Sequence, residues 1–154
     1  MLLDLQSALV AMINSGLLVD EIIHGLVAIP FSLFLYSKTK SVKLSLIVVL
    51  LVYAIDVDHL VDYWSYYGFK FSFVEFVSLK YFVLKGTAYV PFHAWEWLLI
   101  LIYFVRKYGW KTYYASFALG LLAHLIWDVK TVGDPVFYSI TYRILTRFII
   151  PFDL

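Results

Sequence analysis

The sequence predicts an all-α integral membrane protein, a single domain over residues 1–154. It is a bundle of four main transmembrane helices with interfacial or re-entrant helical segments around them. Three observations predict it. Hydrophobic residues fill 63% of the 154 positions and charged residues only 15%, where a soluble domain is about half apolar and a quarter charged. Four apolar stretches of roughly 18–20 residues recur along the chain, the length a bilayer core asks of a helix. Thirteen Tyr and five Trp supply rings that favour the membrane–water boundary, apolar body inward and polar tip outward. Strands are disfavoured because the stretches are too long and an open sheet edge is not tolerated in lipid.

The elements follow in order. The opening MLLDLQSALVAMINSGLLVDEII has no basic start, with Asp4 where a signal peptide would carry Lys or Arg, so it reads as part of the mature protein. Residues 1–16 read as an interfacial or short membrane helix. The first span runs from Val19 to Tyr36, with Pro30 as an expected kink. The second runs from Leu44 to Tyr63, the third from Ala88 to Val105 and the fourth from Thr112 to Thr131. The aromatic connection from Trp64 to Thr87 reads as interfacial or re-entrant. Residues 136–150 form a further interfacial segment in which Arg143 and Arg147, four apart, would share one helix face.

Composition also excludes functions. There is no cysteine, so any metal must be held by imidazole and carboxylate. The net charge of +1 argues against a nucleic-acid partner, which calls for concentrated basic surface.

Ionisable residues within spans are costly and point to function. The first span holds Asp20, Glu21 and His24, and the second ends in Asp56-Val57-Asp58-His59-Leu60-Val61-Asp62. The third begins near His93-Ala94-Trp95-Glu96, and the fourth ends in His124-Leu125-Ile126-Trp127-Asp128. In an up-and-down bundle all four clusters lie toward one membrane face. Each histidine stands 12 to 15 residues from the basic-loop end of its span, hence about 18–22 Å deep. Within each cluster the spacing i to i+3 or i+4 pairs imidazole with carboxylate on one helix face: Glu21 or Asp20 with His24, Asp56 and Asp62 with His59, His93 with Glu96, His124 with Asp128. Metal ligands are therefore expected at His24, Asp56, His59, His93, His124 and Asp128, with Glu21 joining them. Asp20, nearest the helix start, reads more readily as a cap. Asp58 points roughly 160° from Asp56 on an ideal helix, so both join one site only if the helix distorts there. Asp62, Glu96 or Asp58 is expected as the catalytic base, and Arg143 and Arg147 as anchors or clamps for a substrate phosphate. Trp95 and Trp127 read as ordinary packing residues.

These motifs, in this order, resemble the membrane-bound metal-dependent hydrolase-like family, also described as LexA-binding or LexA-regulated inner-membrane hydrolases. The resemblance rests on His24-Gly25, Ile55-Asp56-Val57-Asp58-His59, His93, and Ala123-His124-Leu125-Ile126-Trp127-Asp128 with Thr131 and Gly133; the tail Tyr138-Ser139-Ile140-Thr141-Tyr142-Arg143 is similar too. Two departures stand out. The family's proline before Asp-x-Asp-His is Ile55 here. Its His-Arg motif with a second His reads His93-Ala94-Trp95-Glu96, so Glu96 stands where that His is expected. The resemblance implies phosphoester chemistry on a lipid.

The expected function is thus a metal-dependent membrane hydrolase acting on a phosphoester of a lipid or lipid-like substrate. One to three divalent ions, zinc ahead of manganese or iron, would acidify water and offset phosphate charge. A di-iron oxidase or desaturase built on the same four-helix pattern is the first alternative. An ion or proton transporter is the second; it is disfavoured because residues 44–55 and 97–105 carry no charged side chain. The expected location is the inner or plasma membrane. Ser37–Lys43 and Arg106–Lys111 hold six basic and no acidic residues in 13 positions, which places them in the cytoplasm and the site on the extracytoplasmic side.

Overall fold

The computed structural model describes residues 2–151, with side chains from residue 6 onward. Among the described residues every regular element is helical; the nearest thing to a strand is one isolated bridge, Thr87 to Ile149. Helix α1 (Leu2–Asn14) ends at Gly16, whose left-handed backbone (φ 76°) turns the chain directly into α2. That conformation costs little where there is no Cβ. Helix α2 (Leu17–Thr39) runs unbroken through Pro30. Ser41 caps the next helix by accepting the Leu44 N–H at 3.3 Å, and α3 (Val42–Ala54) follows. Its end tightens into a 3-10 turn, Ile55–Asp58, before α4 (His59–Tyr67) continues the same course.

Two short helices, α5 (Phe73–Val77) and α6 (Lys80–Lys85), fill the long aromatic connection. Residues 88–94 are irregular rather than the start of a span: Val90 has a positive φ and Pro91 follows it. Helix α7 (Trp95–Tyr108) is therefore 14 residues long, about 21 Å at 1.5 Å per residue. Helix α8 (Tyr113–Val132) closes the bundle and stops at Gly133, φ 83°. A 3-10 turn, Pro135–Tyr138, leads to α9 (Ile140–Leu145). Because α9 ends at Leu145 and Arg147 sits in a left-handed turn, Arg143 and Arg147 do not share a helix face.

By length and composition three stretches are able to cross a membrane: Leu17–Thr39, Val42–Tyr67 and Tyr113–Val132. The fourth expected span corresponds to the shorter α7, which is not among these three. The exposed surface suits an apolar solvent. Leu26, Leu33, Leu50 and Leu99 are each more than half exposed.

Helices α2, α3 and α8 pack on one another, and α7 packs on α8. Small residues set the spacing. A Cβ on Gly120 of α8 would meet Leu51 Cδ2 at 2.8 Å and the Val48 carbonyl at 3.1 Å, so glycine lets α8 lie directly on α3. At Gly25 of α2, next to His24, the Tyr53 hydroxyl fills the space a Cβ would need. Hydroxyls join the helices: Ser116 donates to the Leu44 carbonyl and Ser32 to the Ser45 carbonyl, each at 2.8 Å. Small side chains and hydroxyl-to-carbonyl bonds are the usual means of helix association where no water is available to drive it.

Candidate metal centre

Helices α2, α4 and α8 and the loop before α7 bring the four histidines into one nest. His24 and His124 stack with ring centres 4.2 Å apart, His59 and His93 with centres 5.1 Å apart, and His93 meets His124 edge to face at 4.7 Å. His24 and His124 are fully buried and His93 nearly so. The path tightens to a 3-10 turn between Asp56 and Asp58, which at three residues per turn narrows the angle between them from roughly 160° to about 120°. Both reach His93, Asp56 Oδ1 at 3.2 Å from Nε2 and Asp58 Oδ2 at 3.1 Å from Nδ1. Asp56 Oδ1 also lies 3.4 Å from His59 Nε2.

The outer nitrogens are held by oxygen acceptors. His124 Nδ1 lies 2.7 Å from the Val52 carbonyl, His24 Nδ1 3.1 Å from the Asp20 carbonyl, and His93 Nδ1 3.1 Å from Asp58 Oδ2. Each Nδ1–H therefore donates outward, which turns the Nε2 of His24, His93 and His124 inward. Those three nitrogens meet two carboxylates. His24 Nε2 is 2.9 Å from Asp128 Oδ1, His124 Nε2 is 3.2 Å from Asp128 Oδ2, and His93 Nε2 is 3.2 Å from Asp56 Oδ1. His93 Nε2 and His124 Nε2 are 2.8 Å apart. Asp56 Oδ2 and Asp58 Oδ1 are buried with no hydrogen-bond partner.

Lone pairs packed this closely repel unless something positive lies between them. In the absence of an ion that charge is a proton. Burial works against charge on His93, but its hydrogen bonds to Asp56 and Asp58 outweigh burial and lift its pKa well above the ordinary imidazole value. The alternative is a cation. Donors ~2.1 Å from a tetrahedral ion lie ~3.4 Å from each other, close to the separations here. Three overlapping groups bring one ligand atom from each residue within 4.8 Å of one another: His24, His124 and Asp128; Asp56, His93 and His124; and Asp58, His59 and His93. Outward Nδ1–H bonds to carbonyl and carboxylate are also what orients metal-binding imidazoles. The residues fit a divalent ion, and the chemistry of the set, nitrogen and hard oxygen without sulfur, suits zinc, manganese or iron.

The partners of these histidines come mostly from other helices. Asp128 of α8 serves His24 of α2 as well as its own-helix neighbour His124, and Asp56 and Asp58 bracket His93. The expected His93–Glu96 pair does not form. Glu96, in the first turn of α7, instead accepts from the Ser139 hydroxyl at 2.7 Å and the Ile140 N–H at 3.1 Å, and so secures the start of α9. Asp62 is likewise committed elsewhere. It is fully buried and accepts from the Tyr89 and Val90 N–H groups at 2.7 and 2.9 Å and from Lys85 at 3.3 Å. Asp58 positions His93 and accepts the Phe92 N–H at 2.6 Å.

Arg143 is buried and donates to the carbonyls of Tyr89, Val90 and His93 at 2.6, 2.8 and 2.9 Å. It holds the loop that carries His93 rather than a group in the cavity, and burial lowers its pKa against the opposing pull of Asp58. Arg147 is exposed. Asp20 is not a cap, because α2 begins three residues earlier; its carboxylate accepts the Trp127 indole N–H. That bond, which ties α2 to α8 beside His24, has no signature in the sequence, since the partners lie 107 residues apart.

A cavity of about 160 Å³ adjoins the nest. Asp20, Glu21, His24, Asp56, His59, His93, Asp128, Thr131 and Tyr138 form its polar side, and Leu17, Leu79, Phe82, Ala88, Val90, Val132, Phe137 and Ile150 its apolar side. Glu21 brings a buried oxygen, Oε2, without a hydrogen-bond partner. No Lys or Arg is among the lining residues. No family model matches the chain, and no curated protein or solved structure matches it either.

Proposed function

We propose that the chain is an integral membrane protein with a divalent metal centre, that its motif order reflects a kinship with the membrane-bound metal-dependent hydrolase-like family, and that it hydrolyses a phosphoester of a lipid-like substrate. One observation carries this reading. The Nε2 atoms of His24, His93 and His124 converge on Asp56 and Asp128, with every Nδ1 bonded to an acceptor outside the nest. His59 and Glu21 flank that donor set at the cavity wall.

A bound divalent ion supplies Lewis acidity, which acidifies water and offsets the charge of a phosphate. The protein's own part is to hold, orient and exclude. His24, His93, His124, Asp56 and Asp128 hold the ion, and Asp58, the Val52 carbonyl and the Asp20 carbonyl keep the rings aligned. The apolar cavity wall keeps bulk water away. Asp62 and Glu96 are bound to partners elsewhere, and Asp58, although its Oδ1 has no partner, does not line the cavity; the role of base falls to Glu21, which lines it and has an unpartnered oxygen. Glu21 takes a proton from the attacking water as its oxygen bonds to phosphorus. The bond to the leaving alcohol breaks, and the alcohol takes a proton in return. Because no cationic side chain lines the cavity, phosphate recognition depends on the ion.

The experiment is elemental analysis of protein purified in mild detergent, followed by a panel of lipid phosphoesters with and without chelator. One to three equivalents of zinc or manganese, and release of phosphate or phosphoalcohol that stops on chelation, are expected. Protein that holds no divalent metal and takes none up overturns the reading. Bound iron with a visible absorption band selects the di-iron oxidase instead.

A further inference from the structure

A second and larger hollow, about 440 Å³, lies beside the metal centre on the flank formed by α1, α2, α4 and α5. It shares Leu17, Glu21, Asp56, His59 and Leu79 with the cavity already described. The two therefore adjoin at these five residues. Its polar lining is concentrated at the shared end, where Glu21, Asp56 and His59 stand. The rest is apolar and largely aromatic, including Met12, Val57, Leu60, Phe71, Phe73 and Phe76. Val57, Phe71 and Phe73 are each more than half exposed, so they form the open rim.

This arrangement matches an amphiphile lying on its side: a charged group against the metal donors and an apolar tail along the groove. A water-soluble phosphoester has no use for such a wall. The volume is near the lower end of small-molecule pockets, roughly 300–1,000 Å³, which suits one chain better than two. We infer that the groove between α1, α4 and α5 holds the single acyl chain of the substrate, which enters sideways with its phosphoester at Glu21, Asp56 and His59. The inference rests on the hydrolase reading and gives it a substrate class, single-chain phosphoester amphiphiles.

The test is photolabelling of the full-length protein in detergent micelles, with zinc content measured on the same samples. The probe is a lysophosphatidic acid with a diazirine either at the chain end or beside the ester. The chain-end probe is expected to mark Phe71, Phe73 or Met12, and the ester-side probe Leu17 or Leu60. Met12→Trp, which fills the groove away from the metal donors, should cut groove labelling about tenfold with zinc content unchanged. Phe73→Asp, which puts a charge at the groove rim away from the metal donors, serves the same purpose if Met12→Trp does not fold. Glycerol phosphate, which has the head group without a chain, should compete poorly.

Labelling spread over the outer faces of α2 and α8, and indifferent to Met12→Trp, overturns the groove assignment while leaving the metal centre standing. Cross-links between two copies through Phe71 or Phe73 also overturn it, since the occupant is then another protein chain. Zinc-free protein overturns the hydrolase reading itself. That result is distinguishable because the metal measurement does not depend on the label.

Discussion

The carboxylates around the nest differ sharply in what they do, and residue-level substitutions should separate them. Asp58 touches His93 at Nδ1, on the far side of the ring from the converging donors. Asp58→Asn should lower zinc affinity roughly 10–100-fold, the usual cost of losing an orienting partner, whereas His124→Ala should abolish tight binding; competition with a fluorescent chelator measures both. The His93 proton gives a pH signature with opposite signs in the two forms. Its pKa is raised above the ordinary 6.5, so in metal-free protein its bonds to Asp56 and Asp58 stabilise fully below about 6.5 and fade as pH climbs through the raised value. Metal binding needs the unprotonated ring, so zinc-loaded protein should gain stability over the same rise. Thermal unfolding in detergent, with and without zinc from pH 6 to 9, checks both slopes. The four histidines were legible because counting inward from the basic loops puts them at one level. Their partners were not. Spacing along one helix cannot reveal that Asp128 reaches His24, that Glu96 is taken by the Ser139 hydroxyl and the backbone N–H groups of Ile140 and Thr141, or that Asp62 is taken by those of Tyr89 and Val90.

Among the elements, the helices that carry the nest lie unusually close where glycine stands. Gly120→Ala places a methyl group within 3 Å of two Leu51 side-chain carbons and near the Val48 carbonyl. Leu51 must shift or α8 must move away from α3. The expected loss is about 1–3 kcal/mol, typical of overpacking, read as lower detergent-unfolding stability together with weaker zinc binding, because His124 lies one turn further along α8. Gly120→Ala stability equal to that of the unaltered protein would show that the two helices separate without cost. Hydropathy made the long helices legible, since α2, α3 with α4, and α8 are continuous apolar stretches between capped turns. It failed at residues 88–94 for a local reason. Those residues are as apolar as a span, but Val90 and Pro91 break the helical path and let the loop lay His93 between Asp56 and Asp58. The 3-10 turn at Ile55–Asp58 left only an indirect trace, in the requirement that Asp56 and Asp58 serve one site from one short stretch.

For the whole molecule, the asymmetry of charge predicts an orientation. The connections Ser37–Lys43 and Arg106–Lys111 gather six basic residues in 13 positions, and short basic loops stay on the cytoplasmic side. Tyr108, half exposed in the second of these loops, and Phe69, 93% exposed beyond the end of α4, mark the two ends of the bundle. In a chain without cysteine, Tyr108→Cys should resist a membrane-impermeant thiol reagent on intact cells and Phe69→Cys should react. The reverse pattern would invert the protein and turn the metal centre toward the cytoplasm.

The Arg143 guanidinium spans the distance between α9 and the loop before α7, fifty or more residues earlier, by bonding three carbonyls of that loop. That contact tethers two distant parts of the chain. Without it His24, Asp56, His124 and Asp128 could still assemble from α2, the Ile55–Asp58 turn and α8, but the loop carrying His93 would lose its anchor. Arg143 thus works as a keystone: Arg143→Leu should loosen the His93 corner of the nest first and leave the other donors together.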